Sequence, residues 1–134
     1  MKPFRLGGIL AATAAALCVA AAPATASIDP VPSDESAFTL LIWGPGAESR
    51  GVELRCDPVG GAHPDPQAAC DALAATAGDF TKLTAADGSF ACTMELRQVT
   101  AIAIGTWRGE TVNWSQEFSN PCVLRANTGP LFQF

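Results

Sequence analysis

Residues 56–70, CDPVGGAHPDPQAAC, decide the fold, because they lead from the end of a predicted β-strand into a predicted α-helix between two cysteines. Two glycines and the prolines exclude regular structure early in this stretch, until Asp65 supplies an N-cap and the next proline a first helical position. The apolar spacing then predicts a helix from about Pro66 to Thr76, with Cys70 on its inward face. Cys70 would point towards Cys56 and could tie the helix to the strand.

The rest of the domain is β-rich. Residues 38–43, FTLLIW, predict one strand, and residues 51–56, GVELRC, predict a second strand with one buried face, since apolar and charged side chains alternate. The stretch from Asp79 to Ala91 is predicted to be irregular and anchored by Phe80, Leu83 and Phe90. Three further strands are predicted, at Val99–Ile104, Thr111–Phe118 and Leu131–Phe134. The fold class is therefore α+β, an antiparallel sheet of about five strands covered by one main α-helix.

The N-terminus has the pattern of a signal peptide. Lys2 and Arg5 precede an apolar run, and small residues up to Ala26 offer a cleavage site. We expect residues 1–26 to be removed on secretion to the extracellular medium, residues 27–37 to be a flexible tail, and residues 38–134 to form one domain.

Composition excludes several kinds of partner. The sequence has eight basic and thirteen acidic residues, and losing Lys2 and Arg5 leaves six basic against thirteen acidic residues, a net charge of −7. A nucleic-acid partner is not expected, because binding to phosphates needs a basic surface. No segment after the signal peptide is long and apolar enough to predict a membrane span.

Four cysteines remain after the signal peptide, and an even number in a small exported domain predicts two disulfides. Three pairings are possible. We favour the two local pairs, because each would staple one long loop to a neighbouring element: Cys56 with Cys70, and Cys92 with Cys122. A four-cysteine zinc site would need close cysteine pairs, which these spacings do not supply.

The residue inventory does not favour an enzyme. The single histidine, His63, lies in a glycine- and proline-rich loop with no partner suggested by the sequence. Acidic residues are scattered rather than paired, and clusters of metal ligands are absent. We therefore expect no catalytic residues, no metal and no cofactor, and we interpret His63 as a surface or loop-packing residue.

Residues 92–98, CTMELRQ, form a candidate binding loop. A disulfide at Cys92, two residues before Met94, would stiffen this segment. A loop that is ordered in advance loses little entropy on entering a protease active site, and if both ends stay fixed after a cut, the peptide bond can re-form. From the residues alone, an equally good interpretation is that Met94 simply packs at the start of a strand.

Several short motifs resemble those of the Streptomyces subtilisin inhibitor family, a group of secreted actinobacterial protease inhibitors, and together they span nearly all of Phe38 to Phe134. The cysteine spacings and the Gly-x-Trp-x-Gly turn are specific in combination, although each alone would be weak. The motifs are Cys56-Asp57-Pro58, Gly61-Ala62-His63-Pro64, Ala68-Ala69-Cys70, Cys92-Thr93-Met94-Glu95, Gly105-Thr106-Trp107-Arg108-Gly109, Phe118-Ser119-Asn120-Pro121-Cys122 and Phe132-Gln133-Phe134.

The resemblance implies an inhibitor of subtilisin-like serine proteases, and of chymotrypsin-like ones, that forms a homodimer through its sheet. It implies the same two local disulfides and a reactive bond between Met94 and Glu95, with Met94 in the protease's primary specificity pocket. Asn120 would support the loop. Further protease contacts would come from the remaining loop residues, Ala91, Cys92, Thr93, Leu96 and Arg97.

One departure from the family pattern affects the loop. Many relatives carry an aromatic residue, an aspartate and a proline at the positions that are Leu96, Arg97 and Gln98 here. Without the proline, the far side of the loop could be looser, and Arg97 could offer a trypsin-like protease a second bond to cut. Two other functions stay open. One is a secreted domain that binds a small chromophore, which should show an apolar cleft, and the other is a purely structural or adhesive exported domain.

Overall fold

The computed structural model describes residues 22–25, 35–45, 49–85 and 91–134. Five antiparallel strands form one sheet with the order β3-β2-β1-β4-β5. The strands are β1 (Ala37–Trp43), β2 (Arg50–Cys56), β3 (Val59–Gly61), β4 (Val99–Trp107) and β5 (Glu110–Phe118).

Two α-helices and two short 3₁₀ helices pack on one face of this sheet. They are α1 (Pro66–Ala75), the 3₁₀ helix Phe80–Lys82, α2 (Pro121–Thr128) and the 3₁₀ helix Gly129–Phe132. Helix α1 contacts β2 and β3, whereas α2 contacts β4 and β5. The α+β class, the five-stranded antiparallel sheet and the two disulfides predicted from the sequence are confirmed.

Helix α1 begins and ends as its sequence predicts. The Asp65 side chain accepts a hydrogen bond from the Ala68 backbone amide, and a proline fills the first helical position. The helix ends beside Gly78, whose φ of 79° favours glycine and whose missing side chain leaves room for the Trp107 ring. Disulfide Cys56–Cys70 joins the helix to the end of β2.

The core lies between the sheet and the helical layer. Its sheet side consists of alternating inward residues, among them Leu40 and Leu54, and its helical side includes Leu73 and Leu124. An aromatic row continues across it, with ring centroids 5.4 to 6.1 Å apart, through Phe38, Phe80, Trp114, Phe132 and Phe134. Phe80 and Leu83 are buried anchors of the irregular stretch, and Phe90 lies outside the described residues.

The predicted closing strand at Leu131–Phe134 is wrong. The chain there forms the 3₁₀ helix Gly129–Phe132, which follows α2 directly and contacts α1. The consecutive residues Leu131 and Phe132 are both fully buried, which a strand with one dry face does not allow. Helix α2 itself was missed. Strand β3 (Val59–Gly61) was also missed, because the stretch before Asp65 was predicted to lack regular structure, so the count of five strands is right but the fifth strand is β3 and not Leu131–Phe134.

The N-terminal side of the domain is ordered slightly before the predicted boundary. Strand β1 begins at Ala37, and Ser36 is already buried, since its carbonyl accepts a hydrogen bond from the Cys56 amide and its hydroxyl accepts one from the Arg108 amide. The predicted signal peptide lies outside the described residues except for 22–25.

Within the described residues, no helix is long and apolar enough to cross a membrane.

Candidate reactive loop

Residues 91–98 form an exposed loop without regular secondary structure, between a segment outside the described residues and strand β4. Met94 is the most prominent residue, with a side chain fully accessible to solvent, and Leu96 is less exposed, at 76%. A side chain with this exposure does not pack against the core. The alternative that Met94 packs at the start of a strand is therefore wrong.

Asn120 holds the loop through hydrogen bonds from its side chain. Its side-chain amide nitrogen lies 3.2 Å from the Thr93 carbonyl and 2.9 Å from the Glu95 carbonyl, so it donates hydrogen bonds to the residues on either side of Met94. Asn120 is only 4% exposed, which makes this donor a rigid part of the domain rather than a surface side chain.

The same Asn120 side chain begins helix α2. Its oxygen accepts a hydrogen bond from the Val123 backbone amide at 2.9 Å, in the geometry of an N-cap, and Pro121 occupies the first helical position. The amide group is therefore held by the helix at its oxygen and holds the loop through its nitrogen. This dual use fixes the amide orientation, because only oxygen can accept from Val123.

Further links fix both ends of the loop. On the near side, disulfide Cys92–Cys122 joins the loop to the first turn of α2. On the far side, the Arg97 backbone amide donates to the Ser119 carbonyl at 2.8 Å, and the Gln98 side chain donates to the Glu117 carboxylate at 2.8 Å. Gln98, which stands in place of a proline, thus ties the far end to β5, so the absence of the proline does not leave this end without an anchor.

His63 lies away from this loop and has a structural role. It is 4% exposed, and its Nδ1 accepts a hydrogen bond from the Asp65 backbone amide, so the proton on Nε2 is donated to the Leu131 carbonyl at 3.0 Å. The ring thus joins the start of α1 to the 3₁₀ helix near the C-terminus.

Among the described residues, no three His, Cys, Asp or Glu side chains are grouped as metal ligands.

The family resemblance related Asn120 to the loop residues, but nothing in the sequence analysis identified what positions Asn120. The missing signal was the pair Asn120-Pro121, which is a helix N-cap followed by a proline at the first helical position. The Ser119 carbonyl and the Glu117 carboxylate were also missed, because their roles depend on the pairing of β5 with β4.

Comparison with known proteins places the chain in a family. A family model described as subtilisin inhibitor-like matches residues 34–120. A subtilisin inhibitor from Streptomyces violaceus is 41% identical over 135 residues, which cover 92% of this chain and 92% of that protein. The transglutaminase-activating metalloprotease inhibitor of Streptomyces mobaraensis is 38% identical over 105 residues, or 74% of this chain and 71% of that protein.

A solved structure is also similar. It is the crystal structure of Streptomyces caespitosus sermetstatin in complex with Bacillus licheniformis subtilisin, with a TM-score of 0.60 and 34% sequence identity. The match covers 75% of this chain and 99% of that chain. The chain belongs to the subtilisin inhibitor-like family, and it is a serine protease inhibitor rather than an enzyme.

Proposed function

We propose that the protein inhibits subtilisin-like serine proteases in the manner of a substrate, with the reactive bond between Met94 and Glu95. The observation that supports this best is the position of Met94. Its side chain is fully exposed, while the carbonyls on both sides of it are held by one buried amide, that of Asn120. An exposed anchor on a preorganised backbone is what tight binding in a protease active site requires.

The braces explain why cleavage would not release the inhibitor. When the protease serine attacks the Met94 carbonyl carbon, its Oγ forms an ester as the bond to the Glu95 nitrogen breaks, and that nitrogen gains a proton. Disulfide Cys92–Cys122 and Asn120 retain the acyl side, while Asn120 and the Arg97 amide retain the new amine. The amine stays at high effective concentration and can attack the ester, which restores the peptide bond.

Target preference follows from the Met94 side chain. A flexible, unbranched apolar group suits the apolar pockets of subtilisin-like enzymes and also those of chymotrypsin-like enzymes. A trypsin-like pocket has a buried carboxylate, and methionine would leave this charge unpaired. We therefore expect weak inhibition of trypsin.

Exchange of the pocket residue tests this proposal. Met94→Lys should lose subtilisin inhibition and gain trypsin inhibition, each by at least about tenfold in the inhibition constant, because a single buried charge contact carries this much discrimination. Ala74→Lys is the matched control, since it adds the same charge on the exposed side of α1, outside the loop, and should leave both constants nearly unchanged. Trypsin inhibition that rises equally in both variants would count against Met94.

Two further features belong to this proposal. The protein is secreted after cleavage near Ala26, in keeping with its disulfides and the N-terminal apolar run. It forms a homodimer through the outer sheet face, where Leu41 and Ile102 pair across β1 and β4 while Trp43 and Ile104 are about half exposed, at 53% and 49%.

The alternative of a chromophore-binding domain is not supported, because the relatives are named protease inhibitors.

A further inference from the structure

A groove of about 440 Å³ opens beside the reactive loop. Its apolar lining comes from both layers of the fold and includes Val99 and Leu124. Its charged lining consists of three exposed arginines, each on a different element: Arg50 begins β2, Arg97 belongs to the reactive loop, and Arg125 lies on α2. We call this feature the arginine groove.

The arginine groove concentrates positive charge on an acidic protein. The whole chain has a net charge of −5, and only six of its basic residues lie in the described part, so this groove holds half of them. Among the described residues, no aspartate or glutamate side chain lines the groove, whereas the last residue of the sequence, Phe134, does line it. Within the described residues, the one ion pair is Lys82 with Asp79, which lies elsewhere. The three guanidinium groups are thus without a carboxylate partner in the part of the chain that the structure describes.

The arginine groove begins close to the proposed reactive bond. Arg97 follows Met94 by three residues, so their Cα atoms are at most about 10 Å apart. The Arg97 backbone is fixed by its hydrogen bond to Ser119. A protease–inhibitor interface of standard size covers roughly 800 Å² per partner, a disc of roughly 16 Å radius. Arg97 therefore lies within the protease footprint, on the side of the residues that follow the cut, and the groove that it lines begins there.

We propose that the arginine groove binds carboxylates on the rim of the target protease, next to the subsites that receive Glu95 and the residues after it. The inference rests on the proposed function, and it adds a second determinant of target choice besides Met94. Charge complementarity supports this occupant, because guanidinium groups pair with carboxylates through two parallel hydrogen bonds. The groove is also continuous with the proposed protease-binding loop, since Arg97 belongs to both, and this supports the same occupant.

Such a surface acts mainly on the rate of association. Unpaired charges attract an oppositely charged partner over about 8 Å at physiological ionic strength, and this attraction weakens as salt is added. The net negative charge of the inhibitor would otherwise slow its approach to an acidic protease. The groove would offset this repulsion at the place where the two proteins meet.

The test uses two forms of subtilisin, the unmodified enzyme and a variant with two glutamates introduced on the rim beside the leaving-side subsites. Association rate constants are measured with three inhibitors: the unchanged protein, the groove variant Arg50→Gln/Arg125→Gln, and the control variant Arg55→Gln/Arg108→Gln. The two variants have equal net charge, and both leave the reactive loop intact. All rates are measured at about 20 mM and about 500 mM NaCl, where screening differs strongly.

At low salt, the added glutamates should speed association of the unchanged inhibitor and of the control variant by roughly threefold to tenfold, but not that of the groove variant. The gain should vanish at high salt. An equal gain for all three inhibitors, or no gain for the unchanged inhibitor, would overturn the inference. Absence of inhibition of both subtilisins by all three inhibitors would instead show that the proposed function has failed.

Discussion

A single side chain, Asn120, supports both the reactive loop and helix α2. Its nitrogen donates to the carbonyls of Thr93 and Glu95, and its oxygen caps the helix at Val123. The two roles can be separated by substitution, because serine is a good N-cap but has no amide to donate to two carbonyls.

We predict that Asn120→Ser retains most of the stability but is cleaved at Met94–Glu95 much faster by subtilisin. Asn120→Ala should be cleaved as fast, and it should also lose about 1 kcal/mol more stability than the serine variant, because it lacks the cap. Denaturant unfolding measures the stability, and mass spectrometry of timed digests measures the cut. If both variants resist proteolysis as well as the unchanged protein, Asn120 does not brace the loop.

At the scale of elements, each disulfide joins a different pair. Cys56–Cys70 links β2 to α1, and Cys92–Cys122 links the reactive loop to α2. On the chain-entropy model, the closed loops of 14 and 30 residues correspond to roughly 3 and 4 kcal/mol. The two bridges thus have similar effects on stability but different relations to the proposed site.

We predict that replacing both Cys92 and Cys122 with alanine turns the inhibitor into a substrate of subtilisin at temperatures where the domain is still folded. Replacing Cys56 and Cys70 is the matched control, and it should lower the melting temperature while stoichiometric inhibition persists. Residual protease activity is titrated after circular dichroism has verified folding. Equal loss of inhibition in the two double variants would mean that global stability, rather than the loop bridge, controls the activity.

Some helices and strands of the fold can be predicted from the sequence and others cannot. Period-two alternation predicted β2, and an N-cap with a following proline predicted α1, because both signals are local. The same cap signal is present at Asn120-Pro121, but no helix was predicted there, and the short apolar run at Leu131-Phe132 predicted a strand that does not form. A short apolar run is ambiguous by itself, since burial on all sides depends on the neighbouring elements.

At the scale of the whole molecule, the outer sheet face has no layer of described residues covering it. Leu41, Ile102 and Ile104 form an apolar strip there, and neighbouring polar side chains lie at its borders. The arginine groove is also a property of this scale. It could not be found from the sequence, because its three arginines are far apart in the chain and meet only when β2, the loop and α2 are assembled.

We predict that Ile104→Lys converts a dimer into a monomer without unfolding the domain, since a charge buried in an apolar interface is strongly unfavourable. Ala74→Lys, on the exposed side of α1, adds the same charge on the opposite layer and should leave the dimer intact. Light scattering coupled to size-exclusion chromatography gives the mass. An unchanged protein that elutes as a monomer at all concentrations would contradict the dimer proposal.

The most direct test of the central proposal is a titration of subtilisin with the purified, oxidised protein, followed by mass spectrometry of the equilibrated mixture. The account predicts loss of activity at a one-to-one ratio of reactive loops to active sites, with intact inhibitor in equilibrium with a form cut once, between Met94 and Glu95. Absence of inhibition, or rapid cleavage at several bonds, would contradict it.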